Sequence, residues 1–173
     1  ESHMNTVLDY IEKGKTEGAT LVCGGERAAN GDLANGYFIK PTVFTDVTND
    51  MVIAQEEIFG PVLCVMKYQD EDEAVKIAND SIFGLGGGVW SEDIDRARAV
   101  AGKMRTGTVW INDWHLLSEQ MPFGGYKQSG IGREFGEEGM NEYTEVKALH
   151  VDDAKTLENK PWYYMLVPQD AAE

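Results

Sequence analysis

Chemistry-bearing residue types gather between Met121 and Glu134, M-P-F-G-G-Y-K-Q-S-G-I-G-R-E, where glycines, aromatic rings, two cations and a carboxylate share one short stretch. Glycine permits positive φ and lets the backbone approach a neighbour or ligand closely, at an entropic cost. A surface loop collects glycine for turn geometry alone, but charge and ring among the glycines argue for a site. Upstream, Gln55-Glu56-Glu57-Ile58-Phe59-Gly60-Pro61 sets Glu57 and Phe59 two residues apart, so an extended backbone points both side chains the same way. A carboxylate accepts hydrogen bonds from the vicinal hydroxyls of a ribose, and a nearby ring packs on a flat heterocycle. The pair therefore suits a nucleotide; the alternative is an exposed glutamate beside a core phenylalanine.

Other chemistries find less support. Gly84-x-Gly86-Gly87-Gly88 and Gly130-x-Gly132 are partial likenesses of a dinucleotide fingerprint, and neither completes G-x-G-x-x-G between a strand and a helix. The chain holds no P-loop, G-x-S-x-G or H-E-x-x-H. Cys23 and Cys64 each lie in an apolar run and read as buried, inert thiols. With no C-x-x-C, and with His3, His115 and His150 far apart, neither a disulfide framework nor a metal site is expected.

The elements that must position these residues are legible from periodicity. Met4, Val7, Leu8 and Ile11 follow i, i+3, i+4, i+7, which predicts an amphipathic helix over 3–17 ending near Gly18. A strand over 19–23, an exposed turn over 28–36 and a β-rich stretch over 37–47 follow, with Pro41 at an edge or bend. From Pro61 the pattern is β-α-β-α-β: apolar runs 61–68, 85–90 and 107–111 separated by helices 70–80 and 92–104. Asp70 with Glu73 is a cap signature, Ala74, Ile77 and Ala78 are the expected buried stripe of the first helix, and Ile94, Ala97, Ala101 and Met104 that of the second. Such alternation implies an α/β fold with a parallel sheet and right-handed crossovers. Ligands gather at the carboxyl ends of such strands, and the run 107–111 empties through Asn112-Asp113-Trp114 into the glycine-rich segment. A short helix near 137–143 precedes Val146–Val151, an alternating strand without a local hairpin partner, which marks it for pairing with another subunit or elsewhere in the chain. In the tail, Pro161-Trp162-Tyr163-Tyr164-Met165-Leu166 should pack on a surface.

At 173 residues, 42% hydrophobic and 26% charged, the chain buries a real core and is not a disordered segment. Its formal net charge of −15 disfavours nucleic acid and anionic membranes as partners. The start lacks the blocks of a signal peptide and no run reaches membrane-span length, so the expected location is cytoplasmic.

E-E-x-F-G-P at Glu56–Pro61, G-x-x-x-x-N at Gly107–Asn112 and F-G-G-x-K-x-S-G-x-G-R-E at Phe123–Glu134 stand in this order and at the spacing found in NAD(P)-dependent aldehyde dehydrogenases. The chain resembles that superfamily from its first helix through Lys147. The resemblance implies the catalytic-domain fold, NAD or NADP as cofactor and oxidation of an aldehyde to a carboxylic acid. It assigns Glu57 to the nicotinamide ribose, Phe59 to the nicotinamide ring and Phe123 to the aldehyde tunnel, with Leu117 and Trp114 on the loop that sets substrate choice. Glu134 matches a carboxylate that relays a proton from the general base. Arg133 and Glu145 match a structural pair near a subunit interface, and the strand bearing Val146, Ala148 and His150 matches one that joins a neighbouring subunit.

Family chemistry also needs a nucleophilic cysteine in a motif like G-Q-x-C and a glutamate in E-L-G-G, both expected upstream of Glu1. Cys23 and Cys64 match non-catalytic strand positions. The resemblance thus makes this chain a C-terminal segment, expected to be inactive alone. It comprises catalytic-domain residues 1–144, an oligomerisation strand 145–152 and a tail 153–173, within a homodimer or homotetramer. T-V-W-I-N-D-W and M-P-F-G-G-Y-K-Q-S-G look like the betaine aldehyde and aminoaldehyde subfamilies, and a broad aliphatic specificity fits nearly as well. From another class, a non-catalytic self-association module built on the strand 146–151 and the aromatic tail also fits the sequence.

Overall fold

The computed structural model describes residues 1–153 together with Lys155, Thr156, Lys160 and Met165. The expected packing role of the aromatic tail lies, apart from Met165, outside the described residues. The chain divides into two units, Glu1–Glu142 and Tyr143–Glu173.

The first unit begins with α1 (Ser2–Glu17), whose apolar spacing buries Met4, Val7 and Ile11 on one face. Gly18 ends it in the left-handed conformation, φ 100°, which glycine adopts without a Cβ penalty. β1 (Thr20–Cys23) pairs antiparallel with β2 (Thr42–Thr45), and a register shift between Leu21 and Cys23 marks a bulge. A 3-10 turn at Gly31–Asn35 fills the exposed connection. After α2 (Val52–Gln55), β3 (Val62–Cys64) adds to β2 in parallel, giving the order β1-β2-β3. The core forms where α1 covers this sheet, with Val7, Ile11, Ala19, Phe44, Val47 and Ile53 together and Phe44 and Ile11 fully enclosed. Buried Thr42 is satisfied within it: its hydroxyl accepts from the Gly25 N–H at 2.8 Å and donates to the Lys40 carbonyl at 2.8 Å.

α3 (Glu71–Asn79) starts at Asp70, whose carboxylate accepts the Glu73 N–H at 2.9 Å as its sequence predicts, while Glu73 accepts from the N–H of Gln69, one residue before the cap, instead of from Asp70 itself. β4 (Phe83–Gly84) and β5 (Gly86–Val89) follow, then α4 (Ile94–Ala101), capped by Asp93 accepting the Arg96 N–H at 3.0 Å. α4 returns the chain to β6 (Thr108–Ile111), which lies parallel to β5. The last elements are β7 (Tyr126–Lys127), antiparallel to β4, and α5 (Gly136–Asn141).

The fold is α/β with parallel segments, but the β-α-β-α-β run is divided: β3 belongs to the first sheet and β5 to a separate pair with β6. Two stripe expectations also change. Ala78 is exposed and Ile94 is 43% exposed, leaving Ala97 as the buried residue of α4. α4 packs on the two-stranded pair β5-β6. Cys23 is exposed instead of buried, because the bulge turns this end of β1 outward; Cys64 is half-buried, and that burial pushes its thiol pKa up.

In the second unit residues 145–153 adopt neither helix nor strand, with Val146, Leu149 and Val151 exposed; Lys160 and Asp152 form an ion pair at 2.6 Å. No helix among the described residues is long and apolar enough to cross a membrane.

Candidate functional site

The glycine-rich segment is built as a folded-back loop. Phe123 and Glu134 face each other across an antiparallel bridge, each N–H donating to the other's carbonyl at 2.8 Å. Directly opposed residues in such a pair project their side chains to the same side, so Phe123 and Glu134 are neighbours on one surface. Between them β7 ties the loop to β4, and Gly107 at the start of β6 presses its backbone against Gly124, where a Cβ would overlap the Gly124 carbonyl. Three side chains staple the arrangement. Ser129 Oγ accepts the Gly84 N–H at 2.9 Å, Lys127 Nζ donates to the carbonyls of Asn79 and Ser81 at 2.9 Å each, and Arg133 donates to the carbonyls of Gly132 at 2.6 Å and Gly125 at 3.1 Å. The Arg133 guanidinium also lies over the Tyr126 ring at 5.6 Å.

Two clefts flank the segment. One, of about 190 Å³, is lined by Phe123, Met121, Thr108, Trp110, Leu116 and Leu117 among others. Trp110 also carries an aromatic group outside the lining: Trp114 lies 5.2 Å from it and His115 6.0 Å. Trp110 is fixed by donating its indole N–H to the Leu116 carbonyl at 2.8 Å. The strand below is glycine-rich for a steric reason, since a Cβ at Gly86 would come within 2.8 Å of the Trp110 ring and one at Gly88 within 2.6 Å of Trp90. Asn112 closes this end by holding Ser91 through both its N–H and its carbonyl, 2.8 Å each.

The second cleft, of about 360 Å³, has Glu56, Glu57 and Gln55 facing Phe83, Gln128 and Ser129. The structure thus brings Glu57 beside the glycine-rich segment, and Phe123 with Leu117 into the other cleft. Phe59 lines neither; its ring is 77% exposed and its backbone has φ 54°. Trp114 does not line the cleft and meets it only through the ring of Trp110, a residue given no role from the sequence although its strand runs between Gly107 and Asn112. Also missed were His3 and Tyr10 of α1. His3 Nε2 lies 2.8 Å from the Phe59 carbonyl, and the Tyr10 hydroxyl donates to Glu56 at 2.7 Å, a bond that raises the phenol's pKa. Their signal was positional, two polar-tipped rings seven residues apart on the helix. Among the described residues no three His, Cys, Asp or Glu side chains cluster to hold a metal.

The aldehyde dehydrogenase family model matches residues 1–149. The chain belongs to the aldehyde dehydrogenase family. Among curated members, betaine aldehyde dehydrogenase of Brucella anthropi is 54% identical over 149 residues, covering 86% of this chain and 31% of the relative. The Bacillus subtilis betaine aldehyde dehydrogenase is 51% identical over 148 residues, covering 86% and 30%. Among solved structures, Staphylococcus aureus betaine aldehyde dehydrogenase in complex with NAD+ superposes with a TM-score of 0.80 at 52% identity, over 82% of this chain and 28% of that one. A Mycobacterium tuberculosis aldehyde dehydrogenase complexed with NAD+ gives 0.80 and 52%, over 83% and 29%. The chain therefore spans about a third of the length of the aldehyde dehydrogenases it matches, and its fold is that part of theirs.

Proposed function

We propose that this chain forms part of an NAD(P)-dependent aldehyde dehydrogenase that oxidises an aldehyde to a carboxylic acid, with betaine aldehyde or a related aminoaldehyde as substrate. The observation that carries the reading is the pairing of Phe123 with Glu134 beside an aromatic-lined cleft, in a chain about half identical to two betaine aldehyde dehydrogenases.

The residues present fit a nicotinamide nucleotide: an exposed carboxylate and an exposed ring stand two apart, with the ring's backbone held from α1. Glu57 accepts hydrogen bonds from the ribose hydroxyls and Phe59 packs on the nicotinamide ring. When bound, the cofactor accepts hydride from the substrate. Phe123 and Leu117 line the aldehyde passage, and Trp114 with Phe123 faces a cationic head group through its ring faces. Glu134 is the carboxylate that passes on a proton taken up by the general base. Neither Cys23 nor Cys64 is assigned as nucleophile, so the 173-residue chain alone is proposed not to turn over aldehyde.

Self-association completes the reading. Residues 145–152, bearing Glu145, Val146, Ala148 and His150, are proposed to add as a strand to a second subunit, with Arg133 near that interface, giving a homo-oligomer. Residues 1–144 are the catalytic-domain part and 153–173 a tail. What supports this is an alternating segment with Val146, Leu149 and Val151 exposed and no strand of its own in the single chain; the same observation favours the pure self-association module as the second reading.

An aldehyde panel assayed with the whole protein that carries this chain separates the readings. NAD(P)+-dependent oxidation, fastest with quaternary-ammonium aldehydes, is expected. Oxidation of simple aliphatic aldehydes at equal efficiency removes the substrate assignment, and no oxidation with any aldehyde, in a protein that still self-associates, leaves the module.

A further inference from the structure

The loop bearing Glu57 and Phe59 rests along one face of α1. Residues 3, 7 and 10 of that helix lie on successive turns of the same face, and each meets the loop. Nε2 of His3 is 2.8 Å from the Phe59 carbonyl oxygen. The methyls of Val7 fill the space over Gly60, where a Cβ would come within 2.6 Å of them. The Tyr10 hydroxyl donates to the Glu56 carboxylate at 2.7 Å. A carbonyl oxygen only accepts, so His3 supplies its Nε2–H here.

The loop needs this support. Phe59 has φ 54°, a left-handed backbone that a side chain as large as phenylalanine adopts only at a steric cost. Its ring is 77% exposed and meets the His3 ring edge-on at 6.3 Å, so little of its own packing offsets that cost. Contacts from α1 add to the loop's own backbone bonds, from Glu56 N–H to the Val52 carbonyl at 2.9 Å and from Val62 N–H to the Gly60 carbonyl at 2.8 Å, in holding the backbone in place.

We propose that His3 and Tyr10 are positioning residues for binding of the nicotinamide cofactor: they fix the Glu56–Gly60 loop so that Glu57 and Phe59 are presented together. The proposal rests on the reading of Glu57 and Phe59 as cofactor contacts. Neither His3 nor Tyr10 touches the cofactor; their hydrogen bonds keep the loop in its competent conformation before binding. Without them the competent fraction falls, and apparent affinity falls with it.

The experiment compares His3→Ala, His3→Gln, Tyr10→Phe and the reference variant Glu57→Gln in the whole enzyme, measuring Kd for NAD+, both KM values, kcat and Tm. His3→Ala and Tyr10→Phe should each raise Kd and KM for NAD+ by about fivefold, the worth of one ordinary hydrogen bond. The increase should spare KM for aldehyde, and His3→Gln, whose side-chain amide again offers an N–H, should restore most of the affinity. A lower Tm with kcat and both KM values damaged together, and no rescue by glutamine, indicates a merely structural role and overturns the proposal. So does unchanged NAD+ affinity in both α1 variants while Glu57→Gln weakens it, an outcome that leaves the cofactor reading standing. Unchanged affinity in Glu57→Gln itself overturns both.

Discussion

Gly107 and Gly124 show how little tolerance the site has at single positions. A methyl group at Gly107 would overlap the Gly124 carbonyl, and backbone on both sides leaves no flexible side chain to give way. Gly107→Ala is therefore expected to cost about 3 kcal/mol, at the upper end of ordinary overpacking, read as a lowered denaturant midpoint. Titration supplies a second residue-level expectation. The Thr48 hydroxyl donates to Asp50 at 2.6 Å and holds that carboxyl below the usual carboxylate range; Lys40 does the same for Glu26 by an ion pair at 2.6 Å. Because both folded pKa values are depressed, what these groups add to stability is present above the ordinary carboxylate pKa and fades as pH falls through the folded values. Thr48→Val should move the Asp50 titration back up toward its ordinary position, as followed by carboxyl NMR shifts; an unmoved titration would mean the hydroxyl is not the cause. At this scale Glu57, Phe123 and Glu134 were legible as candidates because each sits in a patterned motif, Glu57 in E-E-x-F-G-P and the other two in the glycine-rich stretch. His3 and Tyr10 were not, since their partners lie 56 and 46 residues away and only the folded chain joins them.

Elements whose signals are local came out as the sequence implied. Asp70 caps α3 as the sequence implied, through a hydrogen bond spanning three residues; Asp93 caps α4 in the same way, although the expected helix 92–104 had placed it inside the first turn. Asp70→Ala and Asp93→Ala should each lower stability by about 1 kcal/mol, and because the caps serve different helices the double variant should lose close to the sum. Thermal unfolding followed by circular dichroism checks both values. Sheet organisation was less legible. The alternation of strands and helices over 61–111 is real, yet β3 pairs with β2 and β5 with β6, so one expected sheet is two. A strand's periodicity reports which of its faces is apolar; it carries no information about which neighbour supplies its hydrogen bonds. The expected strand 146–151 makes the same point, since its alternation is present without a ladder in the single chain.

For the whole molecule, exposed apolar residues and strong negative charge act in opposite directions. Val22, Leu63 and Val65 of the first sheet and Val146, Leu149 and Val151 of the second unit are exposed, while the net charge of −15 keeps copies apart at low ionic strength. Association should accordingly strengthen as salt rises and the repulsion is screened. Leu149→Asp should reduce the associated fraction at a given salt concentration by sedimentation velocity, whereas a variant that associates like the parent would move the contact away from this segment. The reciprocal bridge between Phe123 and Glu134 has a consequence on the time axis. Each amide is protected by the other residue's carbonyl and by nothing in a helix, so one opening of the loop 124–133 releases both protons together. In deuterated solvent the two amides should lose their protons at matched rates, and that shared rate would report how often the surface shared by Phe123 and Glu134 comes apart.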